Sequence, residues 1–138
     1  MLFLAAALAA VGISAAPHAK HEGESVKLLS TTEIKEQLDG KPTNATIVEV
    51  TLNPGEQGVP HRHPGPVLVY VLEGRYELGV DDQPTKVFEA GETFYEPSGC
   101  LHRVSKNPAT EGRTRLIATV LHPRDVDLKN LAVPEKRN

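Results

Sequence analysis

The sequence predicts an all-β chain: one small barrel or sandwich, entered through a single short helix. Three observations predict it. Apolar stretches of strand length recur through residues 45–122, several of them alternate with a period of two, and Gly or Pro bounds them. Eleven Gly and eleven Pro in 138 residues suit a turn-rich β fold, and that length holds one domain.

The elements follow in order. Leu2 to Ala16 is an apolar run ending in the small residues Ser14-Ala15-Ala16. It is shorter than the roughly 20 residues that span a bilayer and matches the core of a signal peptide. Residues 1–19 are therefore expected to direct export, periplasmic or secreted, with no stable membrane span once they are removed. No cysteine lies there, so a lipoprotein signal is excluded.

Residues 20–44 read as an N-terminal extension. Pro17 to Ser25 is polar, with His18 and His21, and Val26 to Ser30 has strand character. Thr31 to Leu38 reads as the one short helix. Its marks are a threonine cap, early acidic residues, Ile34 and Leu38 four apart, and Gly40 as terminator.

The barrel is expected over residues 45–122. Ile47, Glu49 and Thr51 alternate with Val48, Val50 and Leu52. Val67 to Leu72 is continuously apolar, as for a strand buried on both faces. Glu73-Gly74-Arg75 turns into Tyr76 to Val80, and the turn Asp81 to Pro84 follows. Short strands at Lys86 to Ala90 and Thr93 to Glu96 flank Gly91, and Arg113 to Leu121 alternates again. Residues 123–138 form a charged tail expected on the surface or against a partner.

Hydrophobic content of 39% and charged content of 24% allow a packed core. The net charge is −3, and Lys and Arg form no cluster interleaved with aromatics, which argues against nucleic acid as a partner. The single cysteine, Cys100, excludes an intrachain disulfide. Asn44-Ala45-Thr46 is an N-glycosylation acceptor triplet.

The chemistry lies in two segments. His61 and His63 are two residues apart, so on an extended chain they share one face. Pro60 and Pro64 bracket them and stiffen the backbone. His102 follows a second Gly/Pro-rich turn. Three neutral imidazoles can hold one metal ion and leave positions open.

These segments resemble the two motifs of the cupin superfamily, in a small single-domain, type-2-like form. Gly55, His61, His63 and Gly74 fall in register with the first motif, and Gly91, Pro97, Gly99 and His102 with the second. There are two departures. The glutamate that usually supplies the fourth ligand is Val67, and the second motif's asparagine position is Lys106, with Asn107 one step late. The resemblance implies a jelly-roll (double-stranded β-helix) barrel with the metal inside near one mouth. It also implies a homodimer paired through its sheets. His61, His63 and His102 would be the ligands of one divalent transition metal: Zn, Fe, Cu, Mn or Ni.

The residue before the second motif's proline is usually apolar and faces the barrel; here it is Glu96. A buried carboxylate is costly unless paired, protonated or bound to a metal. Glu96 either replaces the lost ligand or acts as a catalytic acid/base beside the metal; the alternative is a rotated strand with Glu96 solvated at an edge. If Val67 points inward, Val69 and Val71 do too, and one wall of the pocket is apolar. The expected function is a metal-dependent oxidoreductase, dioxygenase-like or using other metal-assisted chemistry, on a small organic substrate. The alternative is a non-catalytic module that binds a metal or small ligand for sensing. Cys100 reads as a buried small residue, Arg62 and Arg103 as pointing outward, His122 as structural or exposed, and the tyrosines as packing residues.

Overall fold

The computed structural model describes residues 19–21 and 23–136. The apolar run at residues 2–16, and with it the signal-peptide expectation, lies outside them. Among the described residues no helix is long and apolar enough to cross a membrane.

Among the described residues eleven strands build two antiparallel sheets: β1 (Ala19–His21), β2 (Glu24–Leu38), β3 (Lys41–Leu52), β4 (His61–Arg62), β5 (Val67–Glu73), β6 (Arg75–Val80), β7 (Lys86–Glu89), β8 (Thr93–Glu96), β9 (Leu101–Lys106), β10 (Thr114–Pro123) and β11 (Val133–Pro134). The six-stranded sheet has the order β1-β2-β3-β10-β5-β8, and the five-stranded sheet has the order β11-β4-β9-β6-β7. This is the expected jelly-roll barrel. Its core comes from inward positions of both sheets, with Leu52, Val67, Val69, Val71, Leu116 and Val120 on one side and Tyr76 and Leu78 on the other. A stack of Tyr76 on Phe94, ring centroids 5.4 Å apart and nearly parallel, joins the sheets across the interior.

Two expectations fail. Thr31 to Leu38 is not helical; it is the second half of β2, paired with β3 from Thr31↔Thr46 to Leu38↔Lys41. The physical reason lies in Asp39-Gly40. Both residues take positive φ (50° and 71°), the conformation that closes a two-residue hairpin, and Asp-Gly is a strong sequence signal for it. Pairing along a whole strand outweighs the weak helical preference of eight residues. Among the described residues the helical segment is a single 3-10 turn, Leu128–Asn130, capped by the Asp127 side chain.

The run Val67 to Leu72 is not buried on both faces. Val67, Val69 and Val71 point into the core, while Leu68, Tyr70 and Leu72 are 53%, 46% and 40% exposed. The sheet has only one covered face, so half of this apolar strand looks out into solvent.

Backbone contacts fix the loops that carry the histidines. Gly65 follows Pro64 where the chain runs against β10, and a Cβ there would collide with the carbonyl of Leu121. Asn107, the displaced motif asparagine, is buried; its side-chain amide donates to Leu52 O and Gly112 O, tying the end of β9 to its neighbours. His122 is buried and structural, bonded through Nε2 to Thr46 Oγ1 at 2.8 Å and through Nδ1 to Pro123 O. Asn44 lies mid-sheet between Glu33 and His122, with its Oδ1 buried.

Candidate metal centre

His61 and His102 are direct cross-strand partners on β4 and β9, so their side chains leave the same face at adjacent positions. His63 follows one residue after β4 and returns to that face. The three rings form a tight group, with centroids 4.7 Å apart for His61–His63 and for His61–His102. One nitrogen from each lies within 4.8 Å of the others.

Each histidine is oriented through its other nitrogen. His61 Nδ1–H donates to Val59 O at 2.7 Å, and His63 Nδ1–H donates to Leu131 O. Both therefore present an unprotonated Nε2 inward, and these two atoms are 3.0 Å apart. Two lone pairs at that distance repel unless a cation lies between them. Two nitrogens each about 2.1 Å from one ion, at angles of 90–109°, sit roughly 3.0–3.4 Å apart. The spacing fits a shared metal.

Glu96 joins them from the opposite sheet. It is 2% exposed, its Oε2 is 3.2 Å from His102 Nδ1 and 3.7 Å from His63 Nε2. The contact with His102 is within ion-pair reach but not aligned as a hydrogen bond, so Glu96 Oε2 and His102 Nδ1 are both buried without a hydrogen-bond partner. The strand is not rotated: Phe94 and Glu96 face inward, and Thr93 and Tyr95 face out. In the register of β5 with β8, Glu96 is the residue directly opposite Val67. The carboxylate absent from the first motif is therefore present one strand over, on the same face.

Burial and the neighbouring His102 and His63 imidazoles push His61 down from 6.5 to about 4. Burial likewise lowers His63, against the pull of Glu96. Burial raises Glu96, but the imidazoles of His102, His63 and His61 outweigh it and hold the carboxyl below its usual range. His61, His63 and Glu96 are thus each shifted toward the unprotonated form that binds a metal. Nitrogen and carboxylate donors of this kind suit Zn, Fe, Cu, Mn or Ni, so the residues fit the metal that the sequence implies.

The cavity beside the cluster has a volume of about 580 Å³. Val48, Val50, Val69, Leu116, Ala118 and Val120 give it apolar walls, as the inward alternation of β5 predicts. Cys100 is buried outside the cluster, and its thiol is pushed up to about 11, chiefly by burial. Arg62 and Arg103 point outward, Arg62 to Glu135 and Arg103 to the carbonyls of Asp81 and Gln83. Tyr76 does more than pack: its hydroxyl lies 3.2 Å from His102 Nε2.

The tail is the part of the site that the sequence reading missed. β11 pairs with β4, Val133 opposite Arg62 and Pro134 opposite His61, and Leu131 supplies the carbonyl that orients His63. Leu128 and Leu131 also line the cavity. Their spacing among charges after Asp127 was the available signal.

A cupin-domain family model matches residues 48–120. No curated protein matches the sequence. Among solved structures, an RmlC-like cupin from Shewanella frigidimarina is 22% identical over 84% of this chain and 91% of its own, with a TM-score of 0.59. A conserved Streptococcus pyogenes protein of unknown function is 21% identical over 76% and 79%, TM-score 0.56. An oxalate oxidase is 20% identical over 95% of this chain and 62% of its own, TM-score 0.58. At such identities the structures establish the fold alone, whereas the family model covers more than half the chain and falls on both histidine segments: this chain belongs to the cupin superfamily.

Proposed function

We propose that His61, His63, His102 and Glu96 hold one divalent transition metal, and that the protein uses it on a small, largely apolar organic molecule. The observation that carries this reading is the convergence of three imidazole nitrogens and a buried carboxylate beside an apolar cavity. When bound, the metal supplies Lewis acidity or, if redox-active, dioxygen chemistry of the dioxygenase type. The chain's own part is to hold the donors deprotonated, to exclude water with valine and leucine walls, and to fix the substrate near the cluster.

The cavity's charge supports the substrate class. Glu24 and Glu96 both line it. Among the described residues, Lys129 is the lining lysine or arginine, and it is paired with Asp127 at 3.2 Å. The buried Glu96 would offset part of a divalent ion's charge, and the walls around it are mainly apolar, which favours an apolar molecule over a dianion. Oxalate, named for one structural relative, is small and doubly charged, and it neither fills nor complements this space.

The exposed side chains of β5 and β8 support a homodimer. Leu68, Tyr70 and Leu72 face solvent beside Tyr95, which lies directly opposite Leu68 and is 56% exposed. We propose that a second copy covers this face. Tyr70→Glu with Tyr95→Glu is expected to halve the mass measured by light scattering at micromolar concentration; a monomeric parent protein excludes the pairing.

Carboxylate position is tested by exchange across the strand pair. Glu96→Gln is expected to lower Zn(II) affinity at least about tenfold, since losing groups that merely orient ligands already costs 10–100-fold. Glu96→Val lowers it similarly, and Val67→Glu added to Glu96→Val restores it. Unchanged affinity in Glu96→Gln removes Glu96 from the donor set. Oxygen uptake by the Fe(II)-loaded protein over small aromatic and aliphatic compounds then separates an enzyme from a binding module: no turnover with any metal favours the module.

Protons compete with the metal for the imidazoles. A free histidine loses its metal as pH falls through about 6.5. With His61 at about 4 in the fold, protonation there begins only as pH approaches that value. Ring NMR of the metal-free chain is expected to show His61 titrating near 4, so its own protonation costs no Zn(II) affinity between pH 8 and 6 and weakens binding only as pH nears that value. A His61 titration centred near 6.5 contradicts the electrostatics described.

A further inference from the structure

His102 differs from the other two histidines in what holds it. His61 and His63 are pinned through Nδ1 by backbone carbonyls, whereas His102 has Nε2 against the Tyr76 hydroxyl. A hydroxyl can donate or accept, so this contact alone leaves the tautomer open. The rest of the chain closes it. Ser105 Oγ donates to Glu24 Oε2 at 3.3 Å, and a carboxylate only accepts. Ser105 has one proton and has spent it on Glu24, so its oxygen accepts from Tyr76, at 2.8 Å. Tyr76 in turn has no proton left, so its oxygen accepts from His102 Nε2–H. The competing acceptor is Glu96 Oε2, 3.2 Å from Nδ1; a proton held there would require Tyr76 to donate to Nε2 and Ser105 to give up Glu24.

We propose that Glu24, Ser105 and Tyr76 form a one-way hydrogen-bond chain that locks His102 with its proton on Nε2 and makes Nδ1 its metal-facing donor. The metal-facing part rests on the proposed metal centre; the tautomer does not. Nδ1 is the buried atom without a hydrogen-bond partner, and it faces Glu96. Tyr76 and Ser105 are each 2% exposed, so water does not compete at the link between them. Gly58 makes room for it: a Cβ there would meet Glu24 Oε2 at 2.8 Å and Ser105 Oγ at 3.2 Å. Glu24 comes from β2, in the N-terminal extension, so that strand reaches into the site and positions a ligand it does not touch. These three are positioning residues.

Long-range proton–nitrogen correlation of the histidine rings reads the tautomers directly. The full chain, freed of metal by chelation and held at pH 8, is expected to show His102 with its proton on Nε2 and His61 and His63 with theirs on Nδ1. Ser105→Ala is the decisive variant, because Ser105 does not touch His102. Removing it frees the Tyr76 proton to donate to Nε2, which moves the histidine proton to Nδ1, against the metal position. Tyr76→Phe removes the acceptor and releases the preference. Both are expected to lower Zn(II) affinity about 10–100-fold, while Glu24→Gln, which keeps an accepting oxygen, retains the wild-type tautomer. Wild-type His102 with its proton on Nδ1, or a tautomer unmoved by Ser105→Ala, overturns the inference. Tautomers as described with no Zn(II) uptake uphold the lock and defeat the metal reading instead.

Discussion

Electrostatic compensation between the two sheets is the constraint on which the rest of this structure depends. A carboxylate and three imidazoles face one another in the interior, with Glu96 Oε2 3.2 Å from His102 Nδ1 and the Nε2 atoms of His61 and His63 3.0 Å apart. Taking one carboxylate out of water costs several kcal/mol, and facing lone pairs add to that cost. A cation at their centre removes both penalties at once. The barrel thus holds a polar cluster that makes energetic sense when a metal completes it.

The surrounding architecture serves that convergence. The β4–β9 pairing sets His61 opposite His102, and the β5–β8 pairing sets Glu96 opposite Val67. Adjacent positions of one antiparallel pair point to one face, so in the proposed centre Glu96 would stand in for the first-motif glutamate of cupins. Valine at position 67 then fills the core beside it. The C-terminal segment, anchored by Arg62 to Glu135 and by β11 on β4, brings the Leu131 carbonyl to His63. The site is held from three directions by backbone and buried hydroxyls, which favours a preorganised donor set.

Much of this was legible in the sequence because it rests on spacing. His61, His63 and His102 follow from two motifs whose turns are set by glycine and proline, whereas strand alternation put Phe94 and Glu96 on one face and left open whether that face was the interior or a solvated edge. What was not legible rests on pairing between distant strands. The helix expected at Thr31 to Leu38 gave way to a hairpin whose signal, Asp39-Gly40, was read only as a terminator. The exposure of Leu68, Tyr70 and Leu72 could not be told from burial by periodicity, because an apolar run looks the same whether its second face meets protein or water. The roles of Leu131 and Glu24 depend on segments that lie 68 and 81 residues from the groups they contact, His63 and Ser105, and local pattern carries no trace of such meetings.

The most direct test of the account is a crystal structure of the Zn(II)-loaded full chain with anomalous scattering recorded at the zinc edge. The account predicts one peak within about 2.0–2.2 Å of His61 Nε2, His63 Nε2, a ring nitrogen of His102 and Glu96 Oε2. A peak that leaves Glu96 turned away, or no peak among the three histidines, contradicts it.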